Sequence, residues 1–297
     1  MIFEHLGEHT LFNGNAVDAL NILICDGVKV DMVFTDPPYR TTPRGSFGGT
    51  GGILKEELNM QGKVFEHNDI DISEWIHKVY AVLKDSGHCY IMCNNRNLRH
   101  YLTEIENAKF NVFKVLVWKK DNCITNQYYM DSHEYIIFCR KGKAVKINNC
   151  GTKSVLEVAN PKNKLHPTEK PVELTDILIE NSTQTGDTVL DPFMGVGACG
   201  VSCENLGRKF IGVEIHKDYY DVTKKRLLNK ADRNAALSEL AAKALDKQQP
   251  QKPDYEGDYD YAKCPVCGHD DFEYGVNNWG CNYCPKCGQA LDWSDVE

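Results

Sequence analysis

The stretch from Gly186 to Glu214 constrains the fold more than any other part of the chain. Gly186-Asp187-Thr188-Val189-Leu190 reads as a strand that runs straight into Asp191-Pro192-Phe193-Met194-Gly195-Val196-Gly197. Ala198 to Leu206 then reads as a helix, and Lys209 to Val213 as a second strand ending at an acid, Glu214. Strand, glycine turn, helix and strand in so short a span predict a mostly parallel sheet with helices on its faces. Glycines at the turn let the backbone approach a bound molecule, and the helix N-terminus adds N–H donors. An acid at the second strand end is placed to accept both hydroxyls of a ribose. The pattern fits a nucleoside cofactor. It also fits another nucleotide, or a turn that only packs tightly.

The rest of the chain alternates in the same way. Val30 to Phe34 is a short apolar run closed by Thr35-Asp36-Pro37-Pro38, a strand running into a loop. Residues 41–53, rich in Gly and Thr, read as a mobile loop. Ile72, Trp75, Ile76, Val79 and Leu83 recur at helical spacing. HCYIMC after Gly87, Phe113 to Trp118 and His133 to Phe138 read as strands, and Val172 to Asn181 as a helix with Pro171 at its start. A helix from Tyr219 to Leu228 is expected to run on to about Leu245. Residues 247–262 are polar, contain two prolines and read as a linker. The expected organisation is one α/β domain over 1–235, a helix end and linker over 236–262, and a small module over 263–297. There is no apolar run long enough to span a bilayer and no basic start followed by an apolar stretch, so a cytoplasmic protein is expected.

Five of the 13 cysteines fall in the last 34 residues. CPVCG at 264–268 and CPKCG at 284–288 form two CxxC turns, whose four thiolates suit tetrahedral Zn²⁺. Cys264, Cys267, Cys284 and Cys287 are the preferred ligands because they repeat one turn; Cys281 competes by making a CxxC with Cys284. So short a tail buries little core, so metal would supply its folding energy. It resembles a zinc ribbon. The other eight cysteines are scattered, several in apolar runs where a thiol behaves as a small buried hydrophobe. The net charge is −8, yet residues 114–170 carry eleven basic and five acidic side chains, a local +6 against −14 elsewhere. A basic face on an acidic protein fits a polyanion partner, or a solvated surface.

The motifs together resemble the amino-directed DNA methyltransferases. LDPFMGVGACG is similar to their cofactor loop, GVEIHKDY to their ribose-binding strand, LHPTEKPVEL to the segment closing over the cofactor, and TDPPY to their catalytic motif. The catalytic motif comes first and the cofactor loop last, the circularly permuted order of the β group. The resemblance spans roughly residues 9–230. It implies a Rossmann-like methyltransferase fold, S-adenosylmethionine as cofactor and DNA as substrate. It implies catalysis at Asp36, Pro37, Pro38 and Tyr39. In the cofactor loop with Phe193, Asp191 would meet the methionine amino group and Gly195 and Gly197 would let the backbone approach. Glu214 would hold the ribose, and His166, Thr168 and Lys170 would line the methionine end. Where the family has Gly-Asp near the N-terminus, this chain has Gly14-Asn15, so the adenine contact falls to an uncharged Asn15.

An exocyclic base amine is a poor nucleophile because its lone pair is delocalised into the ring. Two acceptors on its N–H bonds, the Asp36 side chain and the Pro37 carbonyl, favour a pyramidal nitrogen. Pro38 fixes the turn, Tyr39 stacks on the base, and a duplex target is flipped out of the stack. Within the family, Asp at the first position favours adenine N6. The alternatives are cytosine N4, a planar amine of RNA or protein, and a zinc-containing DNA-binding regulator with an inactive core. Target recognition is expected from residues 141–165 with the 41–68 loop, and the zinc module is open to three roles: contacting DNA, contacting another protein, or capping the fold. The resemblance fits a bacterial or phage enzyme of the restriction-modification type; a homodimer stays open.

Overall fold

The computed structural model describes residues 2–38, 70–124, 129–162 and 169–228, and four residues of two short strands further on. The chain divides into two units, 1–228 and 229–297. In the first, β1 (Ile2–Leu6) and β2 (His9–Asn13) form a hairpin that leads into α1 (Ala16–Cys25) and β3 (Val30–Thr35). Then come α2 (Ile72–Val82), β4 (Leu83–Cys93), α3 (Leu98–Asn107), β5 (Asn111–Ile124), β6 (Asp131–Arg140) and β7 (Val155–Glu157). The last block is α4 (Val172–Ser182), β8 (Thr188–Asp191), α5 (Ala198–Leu206), β9 (Lys209–Glu214) and α6 (Lys217–Arg226). The second unit shows only an antiparallel pair, β10 (Asp254–Tyr255) and β11 (Ala262–Lys263), among the described residues.

The strands of the first unit lie in the order β1-β2-β9-β8-β3-β4-β6-β5-β7. From β2 to β4 all neighbours are parallel; β6 is antiparallel to both β4 and β5. Alternate residues of one strand serve opposite layers. Val33, Ile91, Leu190 and Ile211 pack beneath α1, α2 and α3, while Met32, Phe34, Met92, Val189 and Phe210 pack beneath α4, α5 and α6. Both faces are covered, which is why these strands read as unbroken apolar runs.

Local sequence explains most boundaries. Asp71 caps α2 reciprocally with Glu74, each side chain bonding to the other's backbone N–H. Two expectations change. β4 begins at Leu83, directly after α2, rather than after Gly87: Leu83 pairs with Val30 and the register slips before His88 meets Met32. Gly87 is needed inside that irregular stretch because a Cβ there would lie 2.9 Å from the Asp31 carbonyl oxygen. α6 starts at Lys217 and stops at Arg226, so it does not run unbroken from Tyr219 into the Ala-rich stretch. Leu227 fills the core at the C-cap and ends the amphipathic face. The 41–53 loop, the chain up to Leu245 and the zinc cysteines, with Cys281, lie outside the described residues.

Candidate active site

Parallel strands put their carboxyl ends on one edge, and the candidate residues collect there. Thr35-Asp36 ends β3, Asp191 ends β8, Glu214 ends β9, and Asn13-Gly14-Asn15 leaves β2. The chain leaves β3 through α2 on one face and β8 through α5 on the other, so the crevice between β3 and β8 is the switch point where open α/β sheets bind ligands.

The glycine turn is built as a cradle. Met194 N donates to Val213 O at 2.9 Å and Gly197 N to Met194 O at 2.8 Å. Gly195 and Gly197 have φ of 53° and 78°, the left-handed region that favours glycine. A Cβ on Gly197 would lie 2.5 Å from Thr223 Cγ2, and Thr223 Oγ1 donates to Gly195 O at 2.9 Å. Arg226 donates to Val196 O at 2.7 Å and to Glu169 Oε1 at 2.8 Å. One turn of α6 thus clasps the cofactor loop. Neither residue announces this role in sequence; they fall on the loop only because α6 packs back over it.

Glu214 is buried and faces the turn. Its Oε2 accepts from Gly195 N at 3.0 Å and its Oε1 from His216 N at 2.8 Å, which leaves a lone pair on each oxygen for ligand hydroxyls. Burial raises its pKa against those bonds. Gly14 N and the Asn13 side chain donate to Glu214 O at 3.0 and 2.9 Å, which brings Asn15 to the same corner. Asn15 caps α1 by accepting from Val17 N at 2.8 Å. A cavity of ≈ 420 Å³ opens beside it, lined by Asn15, Val17, Asp18, Ile70 and Glu74. Phe193 packs edge-on against Trp75, ring centroids 5.3 Å apart.

Asp191 is 4% exposed. Its Oδ1 accepts from Thr35 Oγ1 at 2.9 Å and from Phe193 N at 3.0 Å, tying the cofactor strand to the catalytic strand. Burial pushes its carboxyl up to about 7. On the far side of Thr35, Asp36 Oδ2 accepts from the Lys170 ammonium. Glu134, at the start of β6, is 3.5 Å from Lys170 and is gripped by Lys120 of β5. Asp36 Oδ1 is shielded from solvent and has no hydrogen-bond partner among the described residues. Pro37 is buried and Pro38 half-buried beside it. Lys170 was placed by resemblance at the methionine end; its ammonium stands on Asp36 and Glu134. Glu134 and Lys120 were not singled out, although an acid heading an apolar strand, as in HEYIIF, was a signal available to sequence. Tyr39, His166 and Thr168 lie outside the described residues. Among the described residues no group of three or more His, Cys, Asp or Glu could hold a metal ion.

The basic segment divides. β6 runs away from the site, so Arg140 pairs with His88 at the opposite edge of the sheet. There Lys141 donates to Tyr80 O and Leu83 O at 2.9 and 2.8 Å, closing the end of α2. Asn148 bonds Glu180 O and Thr183 O at the end of α4. The chain returns along β7, parallel to β5, and only near Asn160, bonded to Asp121, does it regain the site edge. Lys141 and the adjoining stretch through Asn148 are therefore docked away from Asp36.

A family model described as DNA methylase, and named for N6 and N4 methyltransferases, matches residues 30–225. The chain belongs to this DNA methylase family. The type II methyltransferase M2.DpnII of Streptococcus pneumoniae is 30% identical over 223 residues, covering 67% of this chain and 82% of that protein. M.HinfI of Haemophilus influenzae is 24% identical over 290 residues, covering 87% and 80%. The solved M1.HpyAVI–SAM complex superposes on this DNA methylase with a TM-score of 0.58 at 26% identity, over 73% of this chain and 99% of that one. The cytosine-N4-specific PvuII methyltransferase, 16% identical with a TM-score of 0.56 over 77% of this chain and 91% of that one, shares the fold. No helix among the described residues is long and apolar enough to cross a membrane.

Proposed function

We propose that this DNA methylase transfers a methyl group from S-adenosylmethionine to N6 of adenine in a defined DNA sequence. The observation that carries the reading is the orphaned Asp36 Oδ1 at the β3–β8 crevice, one residue from the Thr35–Asp191 link. A buried acceptor without a partner costs about 1–3 kcal/mol, which an amine N–H would recover. The donor set fits the cofactor: Gly195 and Gly197 give backbone approach, Glu214 keeps lone pairs for a ribose, and the Asp191 carboxylate suits an amino group. The cofactor supplies a methyl group activated by positive sulfur. Asp36 Oδ1 and the Pro37 carbonyl accept the two amine N–H bonds and hold the lone pair out of the ring. Asp36, whose pKa is raised by burial, takes up the proton that the amine sheds. His166 and Thr168 join the cofactor's methionine end and Tyr39 stacks on the flipped base.

The order of the chain, Asp36 before Asp191, supports the permuted β group. Asp at the first motif position supports adenine over cytosine, and the type II names of the relatives support a restriction-modification setting in a bacterial or phage-infected cytoplasm. The β5–β6 hairpin, with Lys119, Tyr129 and Met130 exposed on the site edge, is better placed than residues 141–148 to meet DNA. Incubation with labelled cofactor and duplex DNA should yield N6-methyladenine and leave RNA and protein unlabelled; N4-methylcytosine alone, in the digested product, would overturn the base assignment. Asp36→Ala should lose transfer and keep cofactor binding. The tail is a zinc ribbon in this reading, on the donor set of Cys264, Cys267, Cys284 and Cys287. Metal content should fall in Cys287→Ala and persist in Cys281→Ala; the reverse would exchange the two ligands.

A further inference from the structure

Four ionisable side chains meet at the catalytic turn from four separate elements. Lys170 enters from the segment before α4, Asp36 from the end of β3, Glu134 from β6 and Lys120 from β5. The Lys170 side chain is 8% exposed, and Lys120 and Glu134 are 14% and 18% exposed. An ammonium so deep stays charged only between carboxylates. Its two partners do not stand alike. Glu134 has a second cation in Lys120 on its Oε1; Asp36 has its other oxygen, Oδ1, shielded from solvent and without a hydrogen-bond partner among the described residues.

We infer that Lys170, braced by Glu134 and Lys120, is a positioning residue: it clamps Asp36 through Oδ2, fixing the carboxylate's rotation and its charge so that Oδ1 faces the target amine. The inference rests on the methyltransferase reading and adds to it a function for three residues outside the catalytic motif. A carboxylate held by one oxygen has one free orientation for the other, which is the alignment a poor nucleophile needs. The fields agree. Burial raises Asp36 and the Glu134 charge adds to it, while Lys170 and Lys120 oppose both. Burial also pushes on Glu134, where Lys170 and Lys120 outweigh it and hold the carboxyl below its usual range. The other titratable groups facing Asp36 are Asp191 on β8, Cys93 on β4 and Tyr101 on α3. The first adds negative charge; the thiol and phenol are neutral, burial holding the Cys93 thiol up at about 12 and the Tyr101 phenol well above its usual range.

The test is the pH profile of single-turnover methyl transfer to duplex DNA, with cofactor affinity measured separately by calorimetry. In Lys170→Met only Lys120 still opposes the burial of Asp36, so the acid limb should move up by about one pH unit or more, with cofactor affinity within about twofold. In Glu134→Gln the limb should move down, because a negative neighbour is gone. Lys170→Arg should restore part of the parent profile. Should Lys170→Met not fold, the opposite shift in Glu134→Gln still decides the matter. Limbs unmoved in an active parent and its variants, with cofactor affinity falling more than about tenfold in Lys170→Met, would place Lys170 at the methionine end and overturn the inference alone. A parent that labels no DNA at any pH would overturn the methyltransferase reading, and the inference with it.

Discussion

Replacing Asp191 by Asn should make the ligand-free protein more stable, and more so at high pH. The Asp191 Oδ1 atom accepts from Thr35 Oγ1 and Phe193 N, and an amide oxygen can accept both. The new NH₂ meets surroundings made acidic by Asp36 and Glu214. What is lost is a buried charge. Burial raises this carboxyl from 3.8 to about 7, against the two hydrogen bonds that lower it. A raised acid binds its proton more tightly in the folded state than in the unfolded chain. Stability therefore falls as pH rises through the window between those two values, and the loss is complete above the upper one. About three units at about 1.4 kcal/mol each make a penalty of about 4 kcal/mol at pH 8. At pH 5, where the unfolded chain ionises and the folded protein does not, the penalty is about 1.5 kcal/mol. Asp191→Asn should thus gain roughly 2.5 kcal/mol more at pH 8 than at pH 5, about one molar in urea midpoint for an ordinary slope. Urea titrations by circular dichroism at the two pH values measure it, while calorimetry should show weaker cofactor binding, as the amide no longer attracts an amino cation. Equal gains at both pH values, or a loss at both, would refute the reasoning.

Two further substitutions probe the scaffold. Gly197→Ala forces a side chain into a left-handed backbone and against Thr223, and should cost about 1–3 kcal/mol in thermal unfolding and at least about tenfold in cofactor affinity by calorimetry. Lys141→Met removes two bonds at the end of α2 and should lower stability by about 1–2 kcal/mol, with the methylated DNA sequence unchanged on sequencing, because Lys141 lies at the edge opposite Asp36.

Three of the elements that the sequence missed bury little of their own surface. In α3 only Tyr101 and Ile105 are buried, too few to show a period, and β1 exposes Ile2 and Phe3 on an edge strand. β7 is three residues long and exists because β5 offers it an edge. Its strong signals were the strands buried on both faces and the capped helix α2, where local preference and burial agree. The basic count over 114–170 overstates the free charge for the opposite reason. Charge was read without partners, and Lys120, Lys141 and Lys170 are each turned inward on a carboxylate or a helix end.

By itself the sequence determined the glycine cradle, Glu214 at its strand end and Asp36 at another, because a left-handed turn and a strand exit are properties of adjacent residues. Only the tertiary structure decided what stands on Asp36. Lys170, Glu134 and Lys120 reach it through one strand pairing, Trp118 with Glu134 across β5 and β6, and through the path of the segment before α4. A slip of one residue in that register would turn Glu134 to the other face of the sheet. Such a choice is made by the burial of whole strands, and no local motif records it.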